Sequence, residues 1–328
     1  MKYRKLGKTG FEISEISLGT WQLGGRWGEK FNNKTANTLL QSAVDNGINF
    51  FDTADVYNDG DSERAIGKFL KSTSERIYVA TKCGRFLNPH TSKLYQPAAL
   101  RKFVEDSLQR LSIECIDLIQ LHCPPSEVYN RPEIFALFDD LKKEGKVFHM
   151  GVSVETVDEA LAAMKYSNVS SIQIIFNMFR QKPAENFFAE AAKKDVGIIA
   201  RVPLASGLLT GTYYPHKKFA SGDHRNFNRN GEAFDKGETF SGVDYETGLA
   251  AVDRIKELLP KSDSISAFAL KWILMHPEVS CIIPGASRKE QLIQNLHALE
   301  LDDLSTEQQR GIKEIYDEFI REQVHHLW

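Results

Sequence analysis

The segment FFDTADVYNDGDSERAIG (residues 50–67) begins as a short apolar strand and turns polar at Asp52. A loop that carries Tyr57 follows, and the sequence then takes on the periodicity of a helix. An apolar strand that leads through a polar loop into a helix is typical of one unit of a parallel sheet. If the same pattern recurs along the chain, it predicts a parallel sheet with crossover helices.

The pattern does recur. Eight short runs rich in β-branched or aromatic residues are predicted strands: 16–20, 49–53, 77–82, 116–122, 147–153, 171–177, 197–203 and 280–285. Helical periodicity is found at 35–46, 61–71, 97–111, 131–144, 156–166, 183–194, 246–276 in two pieces, and 288–298. This alternation predicts an α/β fold, a (β/α)8 TIM barrel, and we expect residues 1–328 to form one barrel domain.

Local signals add detail to this prediction. Three polar pairs are typical of helix N-caps, namely Ser62 with Glu63, Thr156 with Glu159, and Ser305 with Gln308. Residues 3–15 are predicted to form an N-terminal hairpin that turns at 8–10, and 305–323 an extra C-terminal helix. The stretch 210–244 is rich in Gly, Asn and charge and is too long for an ordinary connection. We expect it to be a mobile flap over the site, with disorder as the alternative.

Composition excludes several classes of function. Of 328 residues, 42% are hydrophobic and 26% charged, and 41 basic against 44 acidic side chains leave a net charge of -3. With no long basic stretch, nucleic acid is not an expected partner. The chain lacks the apolar core of a signal peptide and any run of 18 apolar residues, so we expect a cytoplasmic location and no membrane. Four widely spaced cysteines without a CxxC motif predict free thiols and no metal site. The oligomeric state is left open.

Ionisable residues end three successive predicted strands: Asp52, Lys82 and His122. Each has an ordinary interpretation alone, as a turn residue, a solvated lysine or a hydrogen-bonded histidine. In a parallel barrel, however, these strand ends meet at one mouth, where Tyr57 from the adjoining loop could join them. An ammonium beside a phenol lowers the pKa of the phenol, and a carboxylate keeps that ammonium charged. The set predicts a general acid directed at a carbonyl oxygen, with His122 donating to that oxygen, as reduction by hydride requires.

These residues and their surroundings resemble the aldo-keto reductases. The matching motifs span nearly the whole chain in order: YRKLGKTGFEISEISLGTW, FDTADVY, GDSERAIG, ATKCG, LIQLHCP, GVS, PLASGLLTG and IIPGASRKEQLIQN. The likeness is greatest to the bacterial branch with a long loop after strand seven. It implies an NADP-dependent oxidoreductase that reduces a carbonyl of an aldehyde, ketone or sugar. Tyr57 would act as the acid, Lys82 and Asp52 would tune it, and His122 would orient the substrate.

The resemblance also implies where the cofactor NADP binds. The nicotinamide carboxamide would be held by Ser153 and Gln173. The ring and ribose would lie beside Gly19, Thr20 and Trp21. The pyrophosphate would bind the backbone at Leu204, Ser206, Gly207 and Leu208. The adenosine half would contact Gly285, Ser287, Arg288, Gln291 and Asn295. Arg288 is a natural partner for a 2′-phosphate, at the start of a predicted helix whose free N–H groups suit an anion.

Three departures from the family pattern involve four residues. Val154 stands where many relatives have Asn, which removes one carboxamide hydrogen bond. Arg201 replaces the aromatic residue that often stacks on the nicotinamide; its guanidinium could pack on the ring or reach an anionic substrate. Gly285 and Ala286 replace a Lys-Ser pair that some branches use for the 2′-phosphate, leaving Ser287 and Arg288 for that role.

The sequence says less about the substrate. Candidate pocket residues are Trp21, Trp27, Cys83, Arg85, Phe86, Cys123, Asn177 and part of the flap. Arg85 could bind an acidic or phosphorylated substrate, although a solvent-facing arginine is the simpler expectation. Two other functions compete with the reductase: an NADPH-binding sensor or regulatory subunit with slow turnover, and an aldolase that uses Lys82 as a Schiff-base nucleophile.

Overall fold

The structure is a computed structural model that describes residues 1–25, 29–260 and 264–328. It opens with an antiparallel hairpin of β1 (Tyr3–Lys5) and β2 (Glu12–Ser14). The chain reverses through a short 3-10 turn (Gly7–Thr9) followed by Gly10, whose φ of 76° favours glycine. The predicted hairpin and its turn are confirmed.

Within the described residues, eight parallel strands follow, and their order in the sheet is their order in the chain. They are β3 (Leu18–Gly19), β4 (Phe50–Asp52), β5 (Tyr78–Cys83), β6 (Ile116–His122), β7 (Val147–Ser153), β8 (Val169–Ile175), β9 (Gly197–Arg201) and β10 (Val279–Ile282). Parallel bridges from Ile16 to Ile282 and from Gly19 to Gly285 join the first strand to the last. The sheet therefore closes into the predicted (β/α)8 barrel.

The helices lie around this barrel and in its connections. In the described part of the chain the α-helices are α1 (Asn33–Asp45), α2 (Asp61–Leu70), α3 (Pro97–Leu111), α4 (Pro132–Lys143), α5 (Val157–Ala163), α6 (Phe187–Lys193), α7 (His224–Phe227), α8 (Tyr245–Lys256), α9 (Ile265–Leu274), α10 (Lys289–Leu296), α11 (Thr306–Ile315) and α12 (Arg321–Val324). A π-helical turn joins the last two, so the predicted C-terminal helix is confirmed. No described helix combines the length and apolar character that crossing a membrane would need.

Two of the three predicted helix starts are confirmed. Thr156 with Glu159 and Ser305 with Gln308 each form a reciprocal capping box. The Ser62 prediction is wrong, because Gly60 is the N-cap of α2 and Ser62 lies inside its first turn. The Ser62 hydroxyl is buried and donates 3.0 Å to Thr20 Oγ1, so it ties the helix to the barrel rim.

Side-chain alternation along the strands divides the interior into two layers. A small cluster fills the barrel floor with Phe50, Ala80, Leu118, Ile199 and Cys281. The larger apolar core lies between the outer face of the sheet and the helices. Because successive strand residues face opposite sides, residues two positions beyond the floor point inward at the carboxyl rim. The barrel thus holds polar side chains above an apolar floor.

Candidate active site

The strand register places the predicted catalytic side chains at one end of the barrel. Asp52 pairs with Ala80, Lys82 with Gln120, and His122 with Ser153. Each lies at or near the carboxyl end of its strand. Tyr57 follows in a short 3-10 segment, Tyr57–Gly60, directly before α2. The structure therefore brings Asp52, Tyr57, Lys82 and His122 together as the sequence predicts.

Lys82 is the centre of this group, and its side chain is fully buried. The ammonium donates 2.5 Å to Asp52 Oδ1, 2.7 Å to the Thr53 carbonyl and 3.3 Å to the Tyr57 hydroxyl. An ammonium has three N–H groups, so these bonds use all of them. The Tyr57 oxygen therefore accepts a bond from Lys82, and its own proton is left to point elsewhere.

Asp52 is buried but well supplied with donors. Its Oδ1 accepts from Lys82, and its Oδ2 accepts 2.7 Å from Gln173 Nε2 and 3.2 Å from Gln120 Nε2. A buried carboxylate is stable only when its oxygens are satisfied in this way. Gln120 has no place in the set predicted from sequence, although its spacing of two from His122 puts it on the same inward face of β6.

The charges on this group follow from burial and neighbours. Burial alone would lower the pKa of Lys82, but the Asp52 carboxylate and Tyr57 outweigh it and raise the pKa above its ordinary value. Lys82 is therefore a permanent cation near neutral pH. For Tyr57, burial raises the pKa by more than Lys82 lowers it, so the net direction is upward. The predicted lowering of the pKa by Lys82 is present, but the desolvation of the phenolate, which the prediction left out, outweighs it, so Tyr57 is a neutral phenol.

His122 is a neutral imidazole. Burial, followed by the nearby charges of Arg85, Lys82 and Arg201, holds the pKa of His122 well below its ordinary value. Its Nε2 lies 3.3 Å from Arg85 Nη1, and its Nδ1 has no hydrogen-bond partner among the described residues. An arginine can only donate, so Nε2 accepts in this arrangement.

A cavity of about 730 Å3 opens above these residues. It extends from the candidate catalytic group towards the N-terminus of α10, and the flap covers part of it with His224, Arg225, Phe234 and Glu238. Trp21 forms another wall, with its ring 6.1 Å from that of Tyr57 and 5.0 Å from that of His224. This size and mixed lining suit a ligand much larger than a simple aldehyde.

Comparison with known families identifies the scaffold. The Aldo/keto reductase family model matches residues 15–317, which is nearly the whole chain. The chain belongs to the aldo-keto reductase family. It is 31% identical over 316 residues to an uncharacterized oxidoreductase of Bacillus subtilis, covering 95% of this chain and 96% of that one. It is 30% identical to an NADH-specific methylglyoxal reductase of Escherichia coli, with 92% and 94% covered. It is 26% identical to a probable voltage-gated potassium channel subunit beta of Oryza sativa, with 93% of each covered.

Solved aldo-keto reductase structures have the same architecture. The glycerol dehydrogenase of Gluconobacter oxydans superposes with a TM-score of 0.77 at 28% identity, with 97% of this chain and 96% of that chain covered. The holo form of an aldo-keto reductase from Bacillus halodurans gives a TM-score of 0.76 at 27% identity, with 96% of each chain covered. The family and the fold predicted from sequence are therefore confirmed, and an oxidoreductase is the activity that the family supports.

Most side chains that the resemblance assigns to a cofactor line the cavity of this aldo-keto reductase. These are Gly19, Thr20, Trp21, Ser153, Gln173, Arg201, Leu204, Ser206, Gly207, Gly285, Arg288, Gln291 and Asn295. Leu208 and Ser287 lie behind the wall: Leu208 is buried against Gly248 of α8, and Ser287 donates 3.0 Å to Gln291. The roles of all these residues in cofactor binding stay predictions.

The residues predicted to line the substrate pocket differ in how they are placed. Cys83 and Asn177 are fully buried, and Asn177 is engaged with the Val202 carbonyl and the Ser241 hydroxyl. Phe86 is 44% exposed. Cys123 lies 3.6 Å from Arg201 Nη2. Trp27 lies outside the described residues.

Arg85 differs most from expectation. It is not a solvent-facing arginine, because it lines the cavity and its guanidinium donates 2.9 and 3.0 Å to Glu238 Oε1 of the flap. Sequence reasoning missed Glu238 entirely. No local signal marks it, since it lies 153 residues from Arg85 within an irregular segment.

Proposed function

We propose that this aldo-keto reductase uses NADPH to reduce the carbonyl of an aldehyde, ketone or sugar to an alcohol, with Tyr57 as the general acid. The observation that carries the proposal is the hydrogen bond from Lys82 to the Tyr57 hydroxyl, 3.3 Å long. Because that oxygen accepts from a permanent cation, its own O–H is left to donate into the cavity. A neutral phenol held in this orientation is a proton donor for a carbonyl oxygen.

The cavity offers features that fit a dinucleotide. Asn295 belongs to α10 and lines the cavity, and its buried Nδ2 has no hydrogen-bond partner among the described residues. Gly207 has a φ of 98°, and a Cβ there would collide with the Tyr213 hydroxyl, so only glycine suits this turn. NADPH, when bound, supplies the hydride for the carbonyl carbon. Ser153 and Gln173 would hold its carboxamide, and the turn at Ser206 and Gly207 its phosphates.

The protein's own groups handle the proton and the developing charge. Tyr57 donates its proton to the carbonyl oxygen as negative charge grows there. Lys82 stabilises the resulting phenolate across the existing hydrogen bond, and Asp52 holds the ammonium in place. Once a substrate carbonyl oxygen lies against His122 Nε2, the neutral imidazole can carry its proton on Nε2 and donate a hydrogen bond to that oxygen.

NADP is proposed over NAD because of Arg288. It is the N-cap of α10, lines the cavity and keeps 53% of its side chain exposed, and its ion pair within the described part of the chain is a long one, 3.9 Å to Glu290. A guanidinium in this state is available to a 2′-phosphate, which NAD lacks. The NADH-specific relative shows that the choice of cofactor varies among similar chains, so we assign it from this residue.

The two competing functions make different demands on Lys82 and on turnover. A Schiff-base nucleophile must lose its proton, yet Asp52 and Tyr57 outweigh burial and raise the pKa of Lys82, and all three of its N–H groups are engaged, so the aldolase is disfavoured. A slow NADPH sensor is consistent with the likeness to potassium channel beta subunits. It predicts tight cofactor binding with negligible turnover.

Steady-state oxidation of NADPH with a panel of aldehydes, ketones and sugars tests the proposal. Tyr57→Phe should lower kcat by at least about 100-fold, the lower range for general acid catalysis, while NADPH binding stays within about twofold. Tyr129→Phe is the matched control, because it removes a buried hydroxyl that has no hydrogen-bond partner among the described residues. Unchanged turnover in Tyr57→Phe would exclude Tyr57 as the donor, and negligible turnover in the unmodified protein with tight binding would favour the sensor.

A further inference from the structure

The strongest feature that catalysis leaves unused is the guanidinium of Arg85. Arg85 lies two residues beyond the end of β5, its side chain is only 22% exposed, and Nη1 lies 3.3 Å from His122 Nε2. Its guanidinium carbon also lies 5.4 Å from the ring centre of Phe234 in the flap. A second cation at this distance from the imidazole is not needed to protonate a neutral carbonyl, because Tyr57 and His122 already address that oxygen.

Arg201 lies beside it at the end of β9. It is 8% exposed and lines the same cavity, and Glu238 Oε1 lies 3.6 Å from Arg201 Nη1 while it accepts two bonds from Arg85. Glu238 ends a short 3-10 turn of the flap, Lys236–Glu238. A single carboxylate oxygen therefore lies between two guanidinium groups on the cavity wall, as the oxygen of a bound anion would.

The charges of this cluster depend on the flap. Arg201 Nη2 donates 2.6 Å to Glu155 Oε2, so the barrel provides a carboxylate for Arg201. The buried Arg180 donates to the Glu155 backbone carbonyl and adds a further guanidinium beside this group. Glu238 supplies the carboxylate that pairs with Arg85 and so reduces the excess positive charge. Lys82 and Asp52 form a separate neutral pair, 2.5 Å apart. With Glu238 withdrawn, the cavity beside His122 would carry an excess positive charge, which attracts an anion strongly in a partly desolvated site.

A metal ion explains the cluster less well. One sulfur and two carboxylate oxygens, from Cys123, Glu155 and Glu238, lie within 4.8 Å of one another. Arg201 already lies among them, 3.6 Å from the sulfur and 2.6 Å from Glu155, and burial raises the pKa of the Cys123 thiol. A site that holds a guanidinium and a protonated thiol is poorly suited to a cation.

We propose that Arg85 and Arg201 form an anion subsite that selects carbonyl substrates bearing a carboxylate or phosphate one or two carbons from the reacting carbon, and that Glu238 of the flap fills this subsite when no such substrate is present. The position of Arg85 sets the distance between the anionic group and the reacting carbon. A substrate whose carbonyl oxygen contacts His122 and whose anionic oxygen contacts the Arg85 guanidinium must hold these two oxygens only a few ångströms apart. The proposal rests on the reductase function proposed above and names its substrate class.

Matched substrate pairs test the subsite through kcat/KM. Pyruvate against butane-2,3-dione tests a carboxylate, and dihydroxyacetone phosphate against dihydroxyacetone tests a phosphate. We expect the unmodified protein to prefer the anionic member of at least one pair. Arg85→Gln should lower kcat/KM for that anionic substrate by about 10- to 100-fold, the range for a lost hydrogen bond to a charged group, and for its neutral partner by less than about threefold. Arg85→Lys should recover part of the loss.

Two further variants separate a binding role from a structural one. Glu238→Gln removes the internal competitor, so the KM of the anionic substrate should fall by about 3- to 10-fold with the neutral KM unchanged. Arg225→Gln is the matched control, since Arg225 also lines the cavity but is paired with Asp223 of the flap. It should leave the ratio of anionic to neutral kcat/KM unchanged.

Calorimetry with oxamate and with inorganic phosphate, on NADP-loaded protein, gives a readout that needs no turnover. Binding that is lost in Arg85→Gln would support the subsite even if no carbonyl is reduced, in which case only the reductase proposal fails. Reduction of neutral carbonyls, together with an anionic preference that is absent or unchanged in Arg85→Gln, would overturn the subsite and leave the reductase intact. Weaker binding of both anions in Glu238→Gln would also overturn it.

Discussion

Replacing Asp55 with asparagine should remove a large pH dependence from the stability of this protein. Asp55 lies between Asp52 and Tyr57 but is fully buried, and neither of its carboxyl oxygens has a hydrogen-bond partner among the described residues. Burial, followed by the nearby Glu63 carboxylate, raises the pKa of Asp55 to about 7. The folded protein therefore binds a proton here that the unfolded chain, with a pKa of about 3.9, has already released at pH 5.

The sign and size of the effect follow from this difference. For a carboxyl whose pKa is raised on folding, stability is lost as pH rises from the unfolded pKa to the folded one, and the loss levels off above the folded pKa. A difference of about three pKa units corresponds to about 4 kcal/mol in all, of which about 3 kcal/mol falls between pH 5 and pH 8. An asparagine does not titrate, so the variant lacks this slope.

Urea unfolding, followed by tryptophan fluorescence at pH 5, 6, 7 and 8, measures this pH dependence of the free energy of unfolding. The free energy of unfolding of Asp55→Asn, minus that of the unmodified protein, should increase by about 3 kcal/mol across this range. The absolute value at pH 5 is not the test, because the amide brings two buried N–H groups of its own. Asp59→Asn is the control at an exposed position with a left-handed backbone that asparagine also tolerates. A difference that stays constant with pH would show that Asp55 is ionised in the folded state and refute the reasoning.

Three further predictions follow from the fold and site. Lys82→Met should lower kcat for carbonyl reduction by at least about 100-fold in steady-state assays, because it removes the cation that stabilises the Tyr57 phenolate. The far-UV circular dichroism spectrum should be preserved. Activity near that of the unmodified protein would contradict this prediction. Arg288→Ala should raise the KM for NADPH by about tenfold and leave the KM for NADH unchanged. Lys289→Ala serves as the control. Equal effects on both cofactors would argue against a contact between Arg288 and the 2′-phosphate. Gly67→Ala should lower the free energy of unfolding by about 2 kcal/mol in urea titrations, because a Cβ on α2 would collide with the Leu111 carbonyl of α3.

The barrel and the clustering of the candidate catalytic residues could be predicted because they follow from strand periodicity. Each strand is short and apolar, and its polar residue comes at the carboxyl end, where parallel strands share one rim. The same rule identifies Gln120, which lies two residues before His122 and supports Asp52. The net pKa of Tyr57 could not be predicted in this way, because it depends on how completely the phenol is removed from water, and strand order does not determine that.

Residues beyond the strand ends are harder to predict. Arg85 comes after β5, where alternation no longer fixes the direction of a side chain, and the statistical expectation for an arginine in a loop is exposure. Its actual direction depends on Glu238, in a flap whose irregular backbone contains several short turns between residues 224 and 242. Contacts between two loops that are distant in sequence leave no periodic signal in either.

The charge at the barrel mouth explains why these two loops meet. Arg201 at the end of β9 forms an ion pair with Glu155 in the loop after β7, and Lys82 forms one with Asp52. Among the described residues, Glu238 of the flap is the carboxylate that pairs with Arg85, and burying this guanidinium unpaired would cost several kcal/mol. The flap meets this need with Glu238, so the same interaction that favours flap closure also fills the position an acidic substrate would take. Closure over an empty site and selection of an anionic carbonyl compound would therefore share one physical cause.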